Sequence, residues 1–318
     1  MDNKIVAGID IGGTNIIISF ITESGSIINE LSLKTASFSE AIDFVKQASS
    51  DIKKSCSDNN YKLLGIGIGA PNGNYYSGSI EFAPNLKWKG VIPLVDMFSE
   101  YFDIPVRLTN DANAAAIGEM VFGGAKNMKH FIVVTLGTGL GSGIVIDGKV
   151  LYGNDGFAGE LGHTIVEDNG RQCGCGRKGC LETYVSATGI VSTVKQMIEN
   201  SENNSYVKEL LEKEITAHNI YNAATNGNKI ALNAFEYTGE ILGKSLSNTV
   251  ALFSPQAIFL FGGLAKSGKY IINPTKLHME QNMLTIFKNK VDVLPSALDE
   301  HHAAVLGAAG LIWDLLKK

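Results

Sequence analysis

Apolar residues come in short, dense runs at the start of the chain. Residues 4–10 and 15–21 are rich in Ile and Val and flank Gly12-Gly13-Thr14, which predicts two strands joined by a tight turn. Gly25-Ser26 marks the next turn, and residues 27–33 predict a third strand. The apolar spacing then changes to a helical period over residues 38–55. A buried strand is expected at 63–68, a helix at 91–102, a strand at 106–109 and a helix at 112–122.

The same grammar then restarts. Strands are expected at 131–136, 143–146 and 149–152, the first two separated by Gly137-Thr138-Gly139-Leu140-Gly141-Ser142. A loop-rich stretch over 153–180 follows, then helices, a strand at 257–261 ending in Gly262-Gly263, and an apolar helix over 302–316. A repeated βββαβαβα order, each copy opening on a Gly-rich strand turn, predicts an α/β fold built by duplication. The expected division is 1–118 with 303–318 as a smaller domain and 119–302 as a larger one, the last helix returning to the first domain.

Composition narrows the class. The 318 residues are 45% hydrophobic, enough for one large core or two ordinary ones. With 35 Gly against 7 Pro, the chain is suited to tight strand turns and close backbone approach to a ligand. A net charge of -5 without a basic stripe argues against a nucleic-acid partner. No secretory leader pattern opens the chain, and its apolar runs are too short and too often interrupted to span a membrane. A cytoplasmic location is expected. Three of the four cysteines crowd together, which in a reducing compartment points to metal rather than to cross-links.

The motifs supply the chemistry. In Asp10-Ile11-Gly12-Gly13-Thr14, paired glycines let backbone amides and the Thr14 hydroxyl approach a phosphate, and Asp10 can hold magnesium through water. The bland alternative is an ordinary hairpin. The second turn, Gly137 to Gly143, stands at the equivalent place in the second copy, so the pair reads as two grips on one polyphosphate. Gly263-Leu264-Ala265-Lys266-Ser267-Gly268-Lys269 imitates a P-loop, but Tyr270 replaces the magnesium-binding Ser/Thr and Pro274 is a poor start for the required helix. Gly65-Ile66-Gly67-Ile68-Gly69-Ala70 imitates a dinucleotide fingerprint, but Pro71-Asn72-Gly73 makes a turn where that fold needs a helix.

Asn110-Asp111 ends a strand and opens an Ala-rich helix, a place for an N-cap and equally for a carboxylate that accepts a proton from an attacking hydroxyl. Cys173, Cys175 and Cys180, spaced by glycines, can converge on one ion rather than stay free thiols, and His163 is the nearest upstream candidate for the fourth ligand of a tetrahedral zinc. Glu160 and Glu182 lie at the two ends of this loop, either as solvated acids or as fixed acceptors for sugar hydroxyls.

In order, Asp10-x-Gly-Gly-Thr14, Asn110-Asp111, the Gly137–Gly143 turn, Glu160-x-Gly-His163, the cysteine cluster with Glu182, and Gly262-Gly263 resemble the ROK family of repressors, uncharacterised reading frames and kinases. The resemblance runs almost end to end. It implies two actin-like ATPase (ribonuclease H-like) domains around a cleft, and transfer of a phosphoryl group from ATP to a hexose. Asp111 would be the catalytic base. Gly69, Asn85, Asn110, Glu160, His163 and Glu182 would surround the sugar. Asp10, Gly12, Gly13, Thr14, Thr138 and Gly139 would hold phosphates and Mg2+, Gly262 and Gly263 would pass the adenosine, and Zn2+ would be structural. The family's repressors carry a DNA-binding helix-turn-helix, for which the few residues ahead of the first expected strand leave no room. A homodimer or a dimer of dimers is implied.

Within that family, Asn85-Leu86-Lys87-Trp88 and residues 181–190 are similar to stretches of glucokinases, so glucose, converted to glucose 6-phosphate, is the expected substrate. N-acetylmannosamine, N-acetylglucosamine and fructose are the rival acceptors. A non-catalytic sugar sensor and a zinc module for nucleic acid are readings of a different kind. The first would have no need of both Asp111 and the Asp10 turn, and the second is disfavoured by the acidic charge.

Overall fold

A computed structural model of the protein describes residues 3–201, 205–299 and 302–317. The strands are β1 (Lys4–Ile11), β2 (Asn15–Ile21), β3 (Ile27–Lys34), β4 (Lys62–Gly69), β5 (Gly73–Asn74), β6 (Ser79–Glu81), β7 (Val91–Ile92), β8 (Val106–Thr109), β9 (Phe131–Leu136), β10 (Leu140–Ile146), β11 (Lys149–Val150), β12 (Ala257–Phe261) and β13 (Asp292–Pro295). The helices are α1 (Ala41–Asn59), α2 (Leu94–Ser99), α3 (Asp111–Val121), α4 (Ala187–Glu199), α5 (Ser205–Leu211), α6 (Ala217–Thr225), α7 (Lys229–Phe253), α8 (Lys269–Asn282) and α9 (Ala303–Leu316).

The duplication is explicit in the sheets. One is ordered β3-β2-β1-β4-β8 and the other β11-β10-β9-β12-β13. In each, the central strand pairs antiparallel with the next strand in sequence and parallel with the strand that follows a helix. The mixed α/β architecture is that of an actin-like ATPase fold. The central strands read as continuous apolar runs because both faces are covered: Ile5, Ala7, Ile9 and Ile11 point into one core, and Val6 into another.

The chain forms two compact units, 1–128 with 150–158 and 297–318, and 129–149 with 159–296. The first unit therefore runs ten residues past the expected boundary at 118, takes in the segment 150–158, and resumes at 297 rather than 303. Its α9 lies on β1 and β4, where Val305, Ala309, Ile312 and Trp313 bury against Val6 and Ile21.

That packing explains one imitation motif. A Cβ on Gly8 or Gly67 would collide with the carbonyl oxygen of Val305 or Ala308, and one on Gly65 would stand 2.6 Å from Ile312 Cγ2. The alternating glycines of β4 thus make a seat for α9, and Asn72 and Gly73 lead into a small sheet, β5-β6-β7.

Two local expectations need correction. Residues 91–102 do not form one helix: Val91–Ile92 is a strand, and Pro93 precedes the short α2. A helix does begin at Lys269, the last residue of the P-loop imitation, with Pro274 inside α8. The proline ring fits because α7 presents Gly239, where a Cβ would stand 2.6 Å from Pro274 Cγ. Tyr270 in place of Ser/Thr still separates this segment from a P-loop. Among the described residues, no helix is long and apolar enough to cross a membrane.

Candidate active site and metal centre

The candidate residues fall into two groups, one in each unit. In the first unit, strand register does the positioning. Asp10 is paired with Gly69 across β1 and β4, and Gly69 with Thr109 across β4 and β8. Asp10, Gly69 and Asn110-Asp111 are thereby brought to one edge of the sheet, at the C-terminal ends of its parallel strands. Sheets of this kind bind ligands at that edge.

Asn110 is a true N-cap of α3: its Oδ1 accepts from the Asn113 amide at 2.7 Å, which leaves its side-chain NH2 to other partners. Asp111 follows as the first helical residue, with Oδ1 accepting from the Ala112 amide at 2.8 Å. Its side chain reaches solvent, yet enough protein surrounds the carboxyl for desolvation to raise its pKa against the pull of nearby backbone amides. The Asp10 carboxyl is raised from 3.8 to about 6, first by burial and then by the charge of Asp111. Two carboxyl groups with shifted pKa values at one sheet edge are a feature of functional sites.

Gly12 and Gly13 form the turn after β1. A Cβ on Gly13 would stand 3.0 Å from the carbonyl oxygen of Asn85, so this turn lies against the Asn85 loop. Leu86 and Trp88, 2% and 3% exposed, anchor that loop and leave Asn85 outside. Trp88 Nε1 donates to the Phe38 carbonyl at 3.2 Å, and its ring stacks on Phe44. Packing does not demand glycine at position 69: a Cβ there would meet Ala114 Cβ at an ordinary 3.4 Å.

In the second unit, the Gly137–Gly139 turn joins β9 to β10. Gly262 adopts φ +96 beside the end of β9, where a Cβ would stand 2.8 Å from the Leu136 carbonyl oxygen. The Gly262-Gly263 turn and the Gly137 turn therefore share one end of this sheet.

The loop beyond Gly159 carries the metal ligands. The donor atoms of His163, Cys173, Cys175 and Cys180 all lie within 4.8 Å of one another. Cys175 Sγ is 3.6 Å from Cys180 Sγ, and Cys173 Sγ is 3.7 Å from His163 Nδ1. Ligand bonds of about 2.3 Å to sulfur and about 2.0–2.1 Å to nitrogen imply tetrahedral edges of about 3.6–3.8 Å. The donor set and its spacing fit zinc.

His163 serves two directions. Its Nδ1 faces the sulfurs, while Nε2 stands 3.9 Å from Glu160 Oε2. Glu182 Oε1 accepts from Cys173 Sγ at 3.0 Å and lies 3.7 Å from His163 Nδ1. Its other oxygen points at the Gly-rich turn, where a Cβ on Gly139 would stand 2.7 Å from Oε2. A side chain at 139 would thus press on the carboxylate of a residue 43 positions later, a contact that no local pattern shows. A groove of about 680 Å³ borders the loop between Thr164–Glu167 and α7; it includes Glu160 but neither His163 nor Glu182.

The chain as a whole is similar to known proteins. The profile of the ROK family matches residues 6–314. A glucokinase of Halalkalibacterium halodurans is 34% identical, over 98% of this chain and 96% of the relative. A xylose repressor of Bacillus subtilis is 33% identical, over 80% of this chain and 62% of the repressor. The solved structure of a ROK family glucokinase from Streptomyces griseus, in complex with glucose and AMPPNP, is 31% identical with a TM-score of 0.79, covering 96% of this chain and 98% of that one.

Proposed function

The chain belongs to the ROK family, and from that membership we propose that it is a cytoplasmic, ATP-dependent hexose kinase whose preferred acceptor is glucose, phosphorylated at its 6-hydroxyl. The observation that carries the reading is Asp111, a carboxylate of raised pKa at the sheet edge that also holds Asp10 and the Gly12-Gly13-Thr14 turn. The similarity to a glucokinase solved with glucose and AMPPNP supports the choice of substrates.

In this reading Asp111 takes the proton of the sugar hydroxyl as its oxygen bonds to the γ-phosphorus and ADP leaves. Phosphoryl transfer leaves the protein mainly positioning and electrostatics to supply. Gly12, Gly13, Thr14, Thr138 and Gly139 offer amides and hydroxyls to the phosphates, and Gly262 and Gly263 pass the adenosine. Asp10, through water, would hold the magnesium ion, whose charge would offset that of the phosphates. Asn85, Asn110, Glu160, His163 and Glu182 accept and donate to the sugar hydroxyls, and Gly69 leaves room beside the ring.

His163, Cys173, Cys175 and Cys180 would hold zinc, which fixes the loop. Cys173 would serve such a zinc as a thiolate and would then no longer donate to Glu182 Oε1, which would be open to a sugar hydroxyl. If Nδ1, which faces the sulfurs, held the zinc, His163 would carry its proton on Nε2, on the side of Glu160. The protein acts as a homodimer or dimer of dimers, without nucleic acid or membrane.

The test is ATP-coupled turnover over glucose, mannose, fructose, N-acetylglucosamine and N-acetylmannosamine. A higher kcat/KM for an N-acetylated sugar or for fructose would replace glucose while keeping the kinase. A second reading, a sugar-responsive regulator without turnover, is favoured by the similarity to a xylose repressor. Sugar binding with no ADP formed from any hexose would establish it.

A further inference from the structure

We infer that two threonines outside the phosphate motifs, Thr35 and Thr188, are positioning residues that turn the amides of the two Gly-rich turns outward, toward the nucleotide. The inference rests on the reading of those turns as phosphate sites.

Peptide geometry sets the direction of these amides. In a trans peptide the carbonyl and the following N–H point in opposite directions. Tying a carbonyl back into the protein therefore aims the next amide away from it. In the first unit, Thr35 Oγ1 donates to the Gly12 carbonyl at 2.7 Å, which turns the Gly13 amide outward. The Thr35 amide also donates to the Thr14 carbonyl, at 3.0 Å. Thr35 is 3% exposed, so its hydroxyl makes this bond out of reach of competing water.

The second unit repeats the device with unrelated sequence. Thr188 Oγ1 donates to the Thr138 carbonyl at 2.8 Å, which aims the Gly139 amide the other way. The neighbouring Ala187 amide donates to the Gly137 carbonyl at 2.8 Å, which does the same for the Thr138 amide. Among the described residues, the amides of Gly13, Thr14, Thr138 and Gly139 find no protein acceptor. Gly13, Thr14 and Thr138 are exposed. The Gly12, Gly137 and Thr138 carbonyls are thus tied down and the Gly13, Thr138 and Gly139 amides that follow them are presented, the arrangement an anion needs.

Thr188 has no duty to its own helix that would account for this. The N-cap of α4 is Ser186, whose Oγ accepts from the Gly189 amide at 2.9 Å. Ser186 Oγ also donates to the Glu182 carbonyl at 2.7 Å and lies 3.0 Å from Thr188 Oγ1. The first turn of α4 therefore joins the backbone of Glu182 to the Gly137–Gly139 turn.

Thr188→Val keeps the shape and removes the donor, and Thr188→Ser restores it. The expected result for Thr188→Val is a KM for ATP and a Kd for AMPPNP raised about three- to tenfold, the scale of one hydrogen bond. Glucose affinity, zinc content and melting temperature stay at wild-type values, and Thr188→Ser returns both nucleotide constants. Thr35→Val and Thr35→Ser repeat the test at the buried site, with folding checked by melting temperature. Unchanged nucleotide constants in Thr188→Val, in an enzyme whose wild type turns over, overturn the role of Thr188. An equal loss of glucose affinity overturns it too, since general loosening then explains the effect. A wild type that neither binds AMPPNP nor consumes ATP with any hexose defeats the kinase reading itself.

Discussion

The charge of Asp111 adds to burial in raising the Asp10 carboxyl from 3.8 to about 6. The dependence gives a direct check on the site. In Asp111→Asn the Asn110 cap survives, since it does not use the Asp111 side chain. The Asp10 pKa should fall, as read by carboxyl NMR titration. Turnover should fall at least about a hundredfold, within the range of about 10²–10⁴ for a lost general base, with sugar binding retained. Near-wild-type turnover would remove Asp111 from the role of base.

The acid limb of the rate profile should also be displaced. A base works only when deprotonated, and desolvation raises the pKa of Asp111. The kcat is therefore expected to fall with decreasing pH at a higher pH than an ordinary aspartate would give. Initial rates at saturating substrates, across buffers of constant ionic strength, measure this. A limb at the usual aspartate position would mean that another group limits the reaction.

Asp10 carries a stability consequence of definite sign. Between pH 3.8 and about 6 the folded chain holds a proton there that the unfolded chain has released. The native state binds more protons, so stability falls as pH rises through that window. Once both states are ionised, the cost is on the order of 3 kcal/mol at about 1.36 kcal/mol per pKa unit. Asp10→Asn without ligands should therefore melt higher than wild type at pH 7 while losing activity. A lower melting temperature would contradict the assignment.

Two glycines of one strand should respond oppositely to alanine. Gly69→Ala adds a Cβ at ordinary contact distance from Ala114, so the melting temperature should hold while KM for the sugar rises. Gly67→Ala drives a Cβ into the Ala308 carbonyl and should destabilise or prevent folding. Unchanged sugar kinetics in Gly69→Ala would remove that position from the sugar's surroundings.

Removing a metal ligand should separate the two substrates. Cys175→Ala is expected to lower zinc content and weaken sugar binding more than nucleotide binding. Its effect should centre on residues 159–182, because the second unit keeps its own sheet and helices without the metal. Elemental analysis and calorimetry with glucose and AMPPNP measure this. Wild-type protein purified without zinc would refute the site.

What the sequence revealed followed from locality. The two strand turns, the Cys cluster with His163, and Asn110-Asp111 each lie within short stretches whose chemistry is visible in order. The reasons for Gly8, Gly65 and Gly67 lie in α9, more than two hundred residues away, so Gly65-x-Gly67-x-Gly69 looked like a ligand motif gone wrong. Pro274 looked like a barrier to a helix because its tolerance depends on Gly239 in another helix. The segment 150–158 was read as part of the second repeat. Its place is fixed by distant partners: Tyr152 stacks on Tyr75 at 4.1 Å, and Asn74 donates to the Asp155 carbonyl at 2.8 Å.

The seat of α9 on β1 and β4 also orders events during synthesis. The strands that carry Asp10 and Gly69 leave the ribosome early, but the helix that covers their glycine face is encoded at 303–316. Until then Val6, Ile21 and the bare backbone of Gly8 and Gly67 have no cover from it. The first unit to be translated is thus the last to be sealed, and for most of translation it offers a sticky apolar face to chaperones and to neighbouring nascent chains.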